Sequence, residues 1–222
     1  MIPVVLGLGS NNDFNGLKPL ELLAQGCRML QNFFYRQSLS SEGQGFSPAE
    51  KIFVSASNSD ESCLHKDLPQ DIKSFAQMKI SSIYRTKAMY VTDQNDFFNM
   101  AVLGYVSESF SPFSLLEEIH KIEAECGRNR SLEIRFGPRS LDIDIEIFGN
   151  QTIQTSELQI PHPRLKERSF ILTPMLEILP VSADCINREK IAGYLCQLPD
   201  QGVRLFMNSM EFSLSYFRLN QA

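Results

Sequence analysis

Apolar positions change period several times along this 222-residue chain, and each change marks an element. Ile2 to Leu8 is an almost unbroken apolar run, the pattern of a buried strand, and it closes in Gly9-Ser10-Asn11-Asn12. No Gly-Lys-Ser/Thr follows and G-x-G-x-x-G is not matched, so this is no standard phosphate loop. It reads as a turn, with Gly9 for the backbone and Ser10 or Asn11 as a polar cap. Leu17, Leu20, Leu23, Cys27 and Leu30 then recur at helical spacing and predict a helix over about residues 17–34. From 36 to about 76 the periodicity weakens into a tract rich in Ser, Asn and Gly. Loops of that length are uncommon in compact domains, so the tract is taken as an insertion of unassigned role. Within it, Ala49 to Ala56 fits a short strand or a helical turn equally well.

Lys79 to Thr86 and Phe97 to Val106 read as strands, and the polar stretch Lys87–Asp96 between them is too long for a tight hairpin. Ser111-Pro112 opens a helix with Ser at the N-cap and Pro at the first turn. Leu115, Leu116, Ile119, Ile122 and Cys126 form its apolar face, and Gly127 stops it. Leu141 to Phe148 alternates with period two: Leu141, Ile143, Ile145 and Ile147 turn toward a core, Asp142, Asp144 and Glu146 toward the other side. A Pro-punctuated turn at Ile160-Pro161-His162-Pro163 leads into a helical stretch, and Phe206, Phe212, Leu214 and Phe217 predict a strand or helix packing back. The order is β-α-β-β-α-β, that of a ferredoxin-like α+β sandwich. We expect one domain over 1–222, with the polar insertion after the first helix (about 36–76) and a C-terminal extension (about 186–222).

Composition narrows the class. A hydrophobic content of 43% is enough for a real core, and a net charge of −5 argues against a general nucleic-acid or anionic-membrane surface. The five cysteines are scattered without any C-x-x-C, which suits buried thiols in a reducing cytosol. His65, His120 and His162 are too dispersed to mark a zinc site. No apolar run approaches membrane-spanning length, and no basic leader is evident. The expectation is a cytoplasmic monomer that engages small molecules, with neither nucleic acid nor membrane as partner.

The chemistry concentrates at Asp142 and Asp144. Same-face neighbours on a strand lie roughly 7 Å apart, so two carboxylates there can share one metal site or bridge two ions. Mg²⁺ fits, because it takes one or two carboxylates and completes its shell with water and phosphate oxygens. A charged edge strand that discourages edge-to-edge pairing is the alternative. Arg128, Arg130, Arg135 and Arg139 flank the acids. Guanidinium beside carboxylate suits a place where metal and polyphosphate meet.

The run Phe136-Gly137-Pro138-Arg139-Ser140-Leu141-Asp142-Ile143-Asp144-Ile145 resembles the signature of the 6-hydroxymethyl-7,8-dihydropterin pyrophosphokinases. Ser81-Ser82-Ile83-Tyr84-Arg85-Thr86 and Asp93 to Asn99 are similar to the same family, as is Pro161-His162 followed by Arg168 and Phe170. The resemblance implies transfer of pyrophosphate from ATP to the pterin hydroxymethyl, giving AMP, with two Mg²⁺ on Asp142 and Asp144. Arg128 and Arg139 would neutralise charge developing in that transfer. It implies a pterin pocket of Thr86, Met89, Phe97, Asn99, Phe136 and Phe170, and an ATP side of His120, Glu123, Arg130, Ile145, His162 and Arg168. Lys87-Ala88-Met89 departs from the Pro-rich turn frequent in relatives, and the insertion and tail are longer than usual. No general base stands out. Two other classes fit part of the pattern. One is a metal-dependent nucleotidyl transferase, which would release free pyrophosphate; the other is a non-catalytic binding protein, which need not keep both aspartates.

Overall fold

The computed structural model describes residues 1–41, 78–88, 93–130, 137–180 and 187–217. The chain begins with strand β1 (Ile2–Ser10) and helix α1 (Pro19–Ser41), which runs several residues past the predicted end. The rest of the polar tract, including Ala49–Ala56, lies outside the described residues. Strands β2 (Met78–Ile80), β3 (Ile83–Thr86) and β4 (Phe97–Val106) follow, then helix α2 (Pro112–Glu125). Strand β5 (Asp142–Phe148) and the small hairpin β6 (Ile153–Gln154) and β7 (Gln159–Ile160) lead to helix α3 (Ser169–Ile178). Helix α4 (Arg188–Cys196), strand β8 (Arg204–Met207) and helix α5 (Ser209–Tyr216) complete the α+β fold.

The local signals explain these limits. Ser111 Oγ accepts from the Phe113 amide at 3.2 Å, capping α2 as its position predicts. Beyond the helix Gly127 takes φ +92°, a conformation open to glycine and costly for other residues. The single strand expected over 79–86 is broken at Ser81-Ser82. There Ser81 pairs with Ala101 through both its amide and its hydroxyl, each at 2.9 Å, so the backbone stays satisfied across the break.

The main sheet has the order β5-β1-β4-β3-β8, with β2 also on β4, and its pairings are antiparallel. Val4, Leu6, Leu8, Met100 and Val102 face α1 and α2 and form the larger core with Leu23, Cys27, Phe34, Leu115 and Ile119. Val5, Ala101 and Leu103 face the opposite way, onto Ile171, Leu172 and Met175 of α3 and Ile191 of α4. The sheet is therefore covered on both faces over most of its length; the half-buried alternation expected at 141–148 holds over 142–145 and gives way to full burial from Glu146 to Phe148. β1 reads as an unbroken apolar run because both of its faces are buried.

β5 carries the second correction. Its register against β1 shifts between Val5, opposite Ile147, and Leu6, opposite Ile145, which leaves Glu146 as the extra residue of a β-bulge. Past the bulge the side-chain alternation is reversed. Ile143 and Ile145 join the core under α1 and α2, whereas Ile147 joins the one under α3. The four apolar residues thus do not share a face.

The C-terminal part is woven into the molecule. β8 extends the sheet beside β3, and α5 sinks Phe212 into the larger core at 0% exposure, with Tyr216 and Phe217 packed around it. Leu205, Phe206 and Leu214 stay exposed. Among the described residues no helix is long and apolar enough to cross a membrane.

Candidate functional site

The register of β1 and β5 sets Asp142 opposite Gly9 and Asp144 opposite Gly7. The two carboxylates therefore flank a strip of β1 that carries no side chains, and that strip floors an open cleft of about 760 Å³. Gly7 is closely approached by two side-chain ends. A Cβ there would lie 2.5 Å from Ile171 Cδ1 and 3.0 Å from Glu146 Oε1. Thr86, Phe97 and Asn99 from β3 and β4 form one wall, Arg168, Phe170 and Ile171 the other, and Arg139, Asp142 and Asp144 close one end.

Ion pairs saturate that end. Asp142 accepts from both Arg128 and Arg139, and Arg128 also reaches Glu123, which receives Arg130 as well. Asp144 accepts from Arg168 at 2.8 Å. Glu123 is 1% exposed and also accepts the Ile143 amide at 2.8 Å, so it ties α2 to the start of β5 and holds Arg128 over Asp142. Burial pushes the Glu123 carboxyl up, and the two guanidiniums and the amide oppose that shift. Arg139 Nε is buried and has no acceptor.

His162 stands at the other side of Asp144, with Nε2 3.9 Å from its carboxylate. Nδ1 accepts the Arg164 amide at 3.2 Å, which assigns the proton of the neutral ring to Nε2, the nitrogen facing Asp144. Burial lowers the His162 pKa, Asp144 opposes the shift and Arg168 reinforces it, so the neutral ring is favoured. His120 lines a separate hollow with Phe14, Glu123, Arg128 and Arg130; burial and the two arginines lower its pKa too.

On the opposite wall, Asn99 and Thr86 are buried and bonded to each other, with Asn99 Nδ2 donating to Thr86 Oγ1 at 2.9 Å. That bond orients the amide and leaves Asn99 Oδ1 over Gly9, 3.3 Å from where a Cβ would stand. Phe97 and Phe170 are partly exposed at the cleft, and Arg168 lies 5.7 Å from the Phe170 ring centre. Ile145 is in the core beneath α1 and α2, so a contact from this position to a ligand falls to its backbone. Met89, Arg135 and Phe136 lie outside the described residues.

Two residues emerge that the sequence does not single out for these roles. Asn11, fully buried, donates to Gln94 Oε1 and the Asn95 carbonyl, each at 3.0 Å, and accepts the Arg139 amide at 2.8 Å. It clamps the loop before β4 and the Gly-Pro-Arg turn to the end of β1. Glu146 is the other. The pattern places it beside Asp142 and Asp144, and it does share the face of Gly7 that Ile171 packs on, but there it is covered, at 0% exposure with both oxygens lacking a partner. Burial raises its pKa well above the usual carboxylate value, and Asp144 and Asp142 add to the rise against Arg168. Cys27, Cys126 and Cys196 are free thiols.

Residues 55–180 match a family described as 7,8-dihydro-6-hydroxymethylpterin-pyrophosphokinase. The match begins inside the polar tract and ends before α4. The chain is 48% identical over 128 residues to the 2-amino-4-hydroxy-6-hydroxymethyldihydropteridine pyrophosphokinase of Bacillus subtilis, covering 58% of this chain and 70% of that protein. The protein of the same name from Aquifex aeolicus is 39% identical over 116 residues, 52% of this chain and 70% of that one. A longer relative, the folate synthesis bifunctional protein of Arabidopsis thaliana, is 40% identical over 114 residues, which span 51% of this chain and 22% of the plant protein.

Proposed function

The chain belongs to the 7,8-dihydro-6-hydroxymethylpterin-pyrophosphokinase family, whose activity serves folate synthesis, and from that premise we propose that the cleft over Gly7 and Gly9 is where ATP meets the pterin. One observation carries the reading: two aspartates and three arginines converge at the end of a cleft whose walls are aromatic and amide groups. The pterin ring lies between the Asn99 wall and Phe170. Asn99 Oδ1, held by Thr86, accepts from the donor edge of the heterocycle, and Phe97 lines the side. Phe136, carried over by resemblance, supplies the second aromatic face. Met89 is assigned to the pterin pocket on the same ground.

The triphosphate lies against Arg128, Arg139 and Arg168, with His162 Nε2–H as a further donor. His120, Glu123 and Arg130, which line the neighbouring hollow, are assigned to the nucleoside end by resemblance, as is Ile145 through its backbone. The donor set suits Mg²⁺. Two carboxylates stand together on one strand, and the unsatisfied Arg139 Nε beside them is a donor for a phosphate oxygen of the same ligand, not for the metal. Asp142 and Asp144 would hold the ions, leaving their other positions to water and phosphate; two Mg²⁺ is our expectation. When bound, the ions neutralise triphosphate charge and align the hydroxyl with the phosphorus it attacks. The arginines bear the charge that builds on the transferred group and on departing AMP. Glu123 keeps Arg128 in place for that purpose. The strand order supports a ferredoxin-like assignment, and free thiols among the described residues support a cytoplasmic setting; the 36–76 insertion rests on the polar composition of that tract. We take the working form to be a monomer.

The test follows AMP and the pterin diphosphate by chromatography after incubation with ATP, Mg²⁺ and 6-hydroxymethyl-7,8-dihydropterin. Asp144→Ala is the informative variant, because Asp142 additionally ties down Arg128 and Arg139. We expect its turnover to fall by at least about a hundredfold, the scale of losing one preorganised electrostatic group, with the melting temperature little changed. Near-normal turnover at ordinary Mg²⁺ would overturn the metal assignment. Release of free pyrophosphate without pyrophosphorylated pterin would point to the nucleotidyl transferase class.

A further inference from the structure

The segment after α4 lies beyond the family match, yet it grips both walls of the cleft. α3 begins without a side-chain cap of its own, since the N-cap residue is Arg168, whose guanidinium is engaged with Asp144. The open end is satisfied from a distance. Gln201 Oε1 accepts from the Ser169 amide at 2.9 Å and from the Ser169 hydroxyl at 2.7 Å, while its Nε2 donates to the Glu167 carbonyl at 2.8 Å. One amide group thus holds the residues on either side of Arg168.

The same segment is anchored at its other end. Asp200 accepts from the Gly202 amide at 2.8 Å and pairs with Arg204, which shapes the turn. β8 then pairs with β3, Leu205 opposite Tyr84 and Arg204 opposite Arg85, two positions and one position before Thr86. Phe206 packs edge-on against Phe98, between Phe97 and Asn99, with ring centres 4.8 Å apart. A short run from 200 to 207 therefore bridges the Phe170 wall and the Asn99 wall.

We propose that Gln201 is a positioning residue for the transfer: it fixes the first turn of α3, and so keeps Arg168 on Asp144 and Phe170 at the cleft. The proposal rests on the reading that Phe170 and Arg168 face the substrates. Main-chain and side-chain rotation at 167–170 is what the three bonds oppose, and a helix end left uncapped frays within its first turn.

Two variants of the full chain test it. Gln201→Met keeps the volume and loses all three bonds; Gln201→Glu keeps the acceptor for Ser169 and loses the donor to Glu167. We expect Gln201→Met to weaken pterin binding, measured with a non-hydrolysable ATP analogue present, by about threefold or more. It should lower kcat, raise the KM for ATP as well through the loosened Arg168, and speed amide exchange at 169–171 with β1 unchanged. Gln201→Glu should recover part of the lost affinity and protection. Unchanged pterin affinity and exchange in Gln201→Met would overturn the role. So would a steep fall in melting temperature with amide exchange speeded in β1 as much as at 169–171, which marks a merely structural residue. If Gln201→Met does not fold, Gln201→Glu alone decides, since wild-type affinity and exchange in a variant lacking the Glu167 bond would overturn the two-sided hold. Phe170→Leu in the same assay separates the failures. If it weakens pterin binding while both Gln201 variants bind normally, only the role of Gln201 falls; if it too binds normally, the placement of the pterin falls.

Discussion

At Glu146 a single carboxyl is removed from water between Gly7 and α3, beside the site, and its oxygens find no donor. The folded chain therefore keeps it protonated over a range where the unfolded chain, near the usual 4.5, has released the proton. Folding takes up a proton in that range, so stability from this position is complete below about pH 4.5 and is lost as pH rises toward the higher folded value. Glu146→Gln removes the proton uptake. We expect its melting temperature to match the wild type near pH 4 and to exceed it increasingly toward neutrality, by about 1.4 kcal/mol of stability per pH unit inside the window. Parallel pH profiles for the two proteins would refute this. At this scale the sequence was informative where residue type alone carries the chemistry: Asp142, Asp144 and Arg139 announce themselves by charge and spacing. Asn11 did not, because its role lies in partners 83 and 128 residues away, and no local pattern encodes them. Glu146 misled because it continues the acidic row but is covered by α3 and not open to the cleft.

Elements are where the pattern both succeeds and fails. β1, β4 and α2 follow directly from an apolar run, a strand signal and a capped amphipathic stripe. The bulge in β5 does not, since period-two alternation continues through Glu146 in the sequence while the backbone slips by one residue. The covering of both sheet faces was likewise hidden, because α3 is apolar nearly all round and reads only as a helical stretch. Gly7 marks how closely α3 lies on β1. Gly7→Ala should cost about 1–3 kcal/mol through overpacking against Ile171 Cδ1. Ile171→Val deletes that methyl group, so the double variant should be more stable than the two single losses add up to. A double-mutant cycle by denaturant unfolding measures the coupling, and strict additivity would mean that the helix simply moves aside.

For the whole molecule, the decisive question is whether the C-terminal extension is an appendage. Phe212 says it is not, being buried among residues of the first half of the chain. Phe212→Ala should lose about 3–5 kcal/mol, which for a chain of this size lowers the melting temperature by on the order of 10 °C. A shift of a degree or two would return α5 to the periphery. The sequence suggested that aromatic residues there pack back on the domain, but not that β8 joins the sheet. Strand order has a further consequence, in the time the chain takes to be made. β1 is the first strand synthesised, yet its two neighbours are β4 and β5, so this strand, buried on both faces, acquires its second partner only when residues 142–148 have emerged. At about 5–20 residues per second, that leaves an apolar strand incompletely paired on the ribosome for on the order of ten seconds. A nascent chain halted before β5 should be held by general chaperones, and one halted after it should be released.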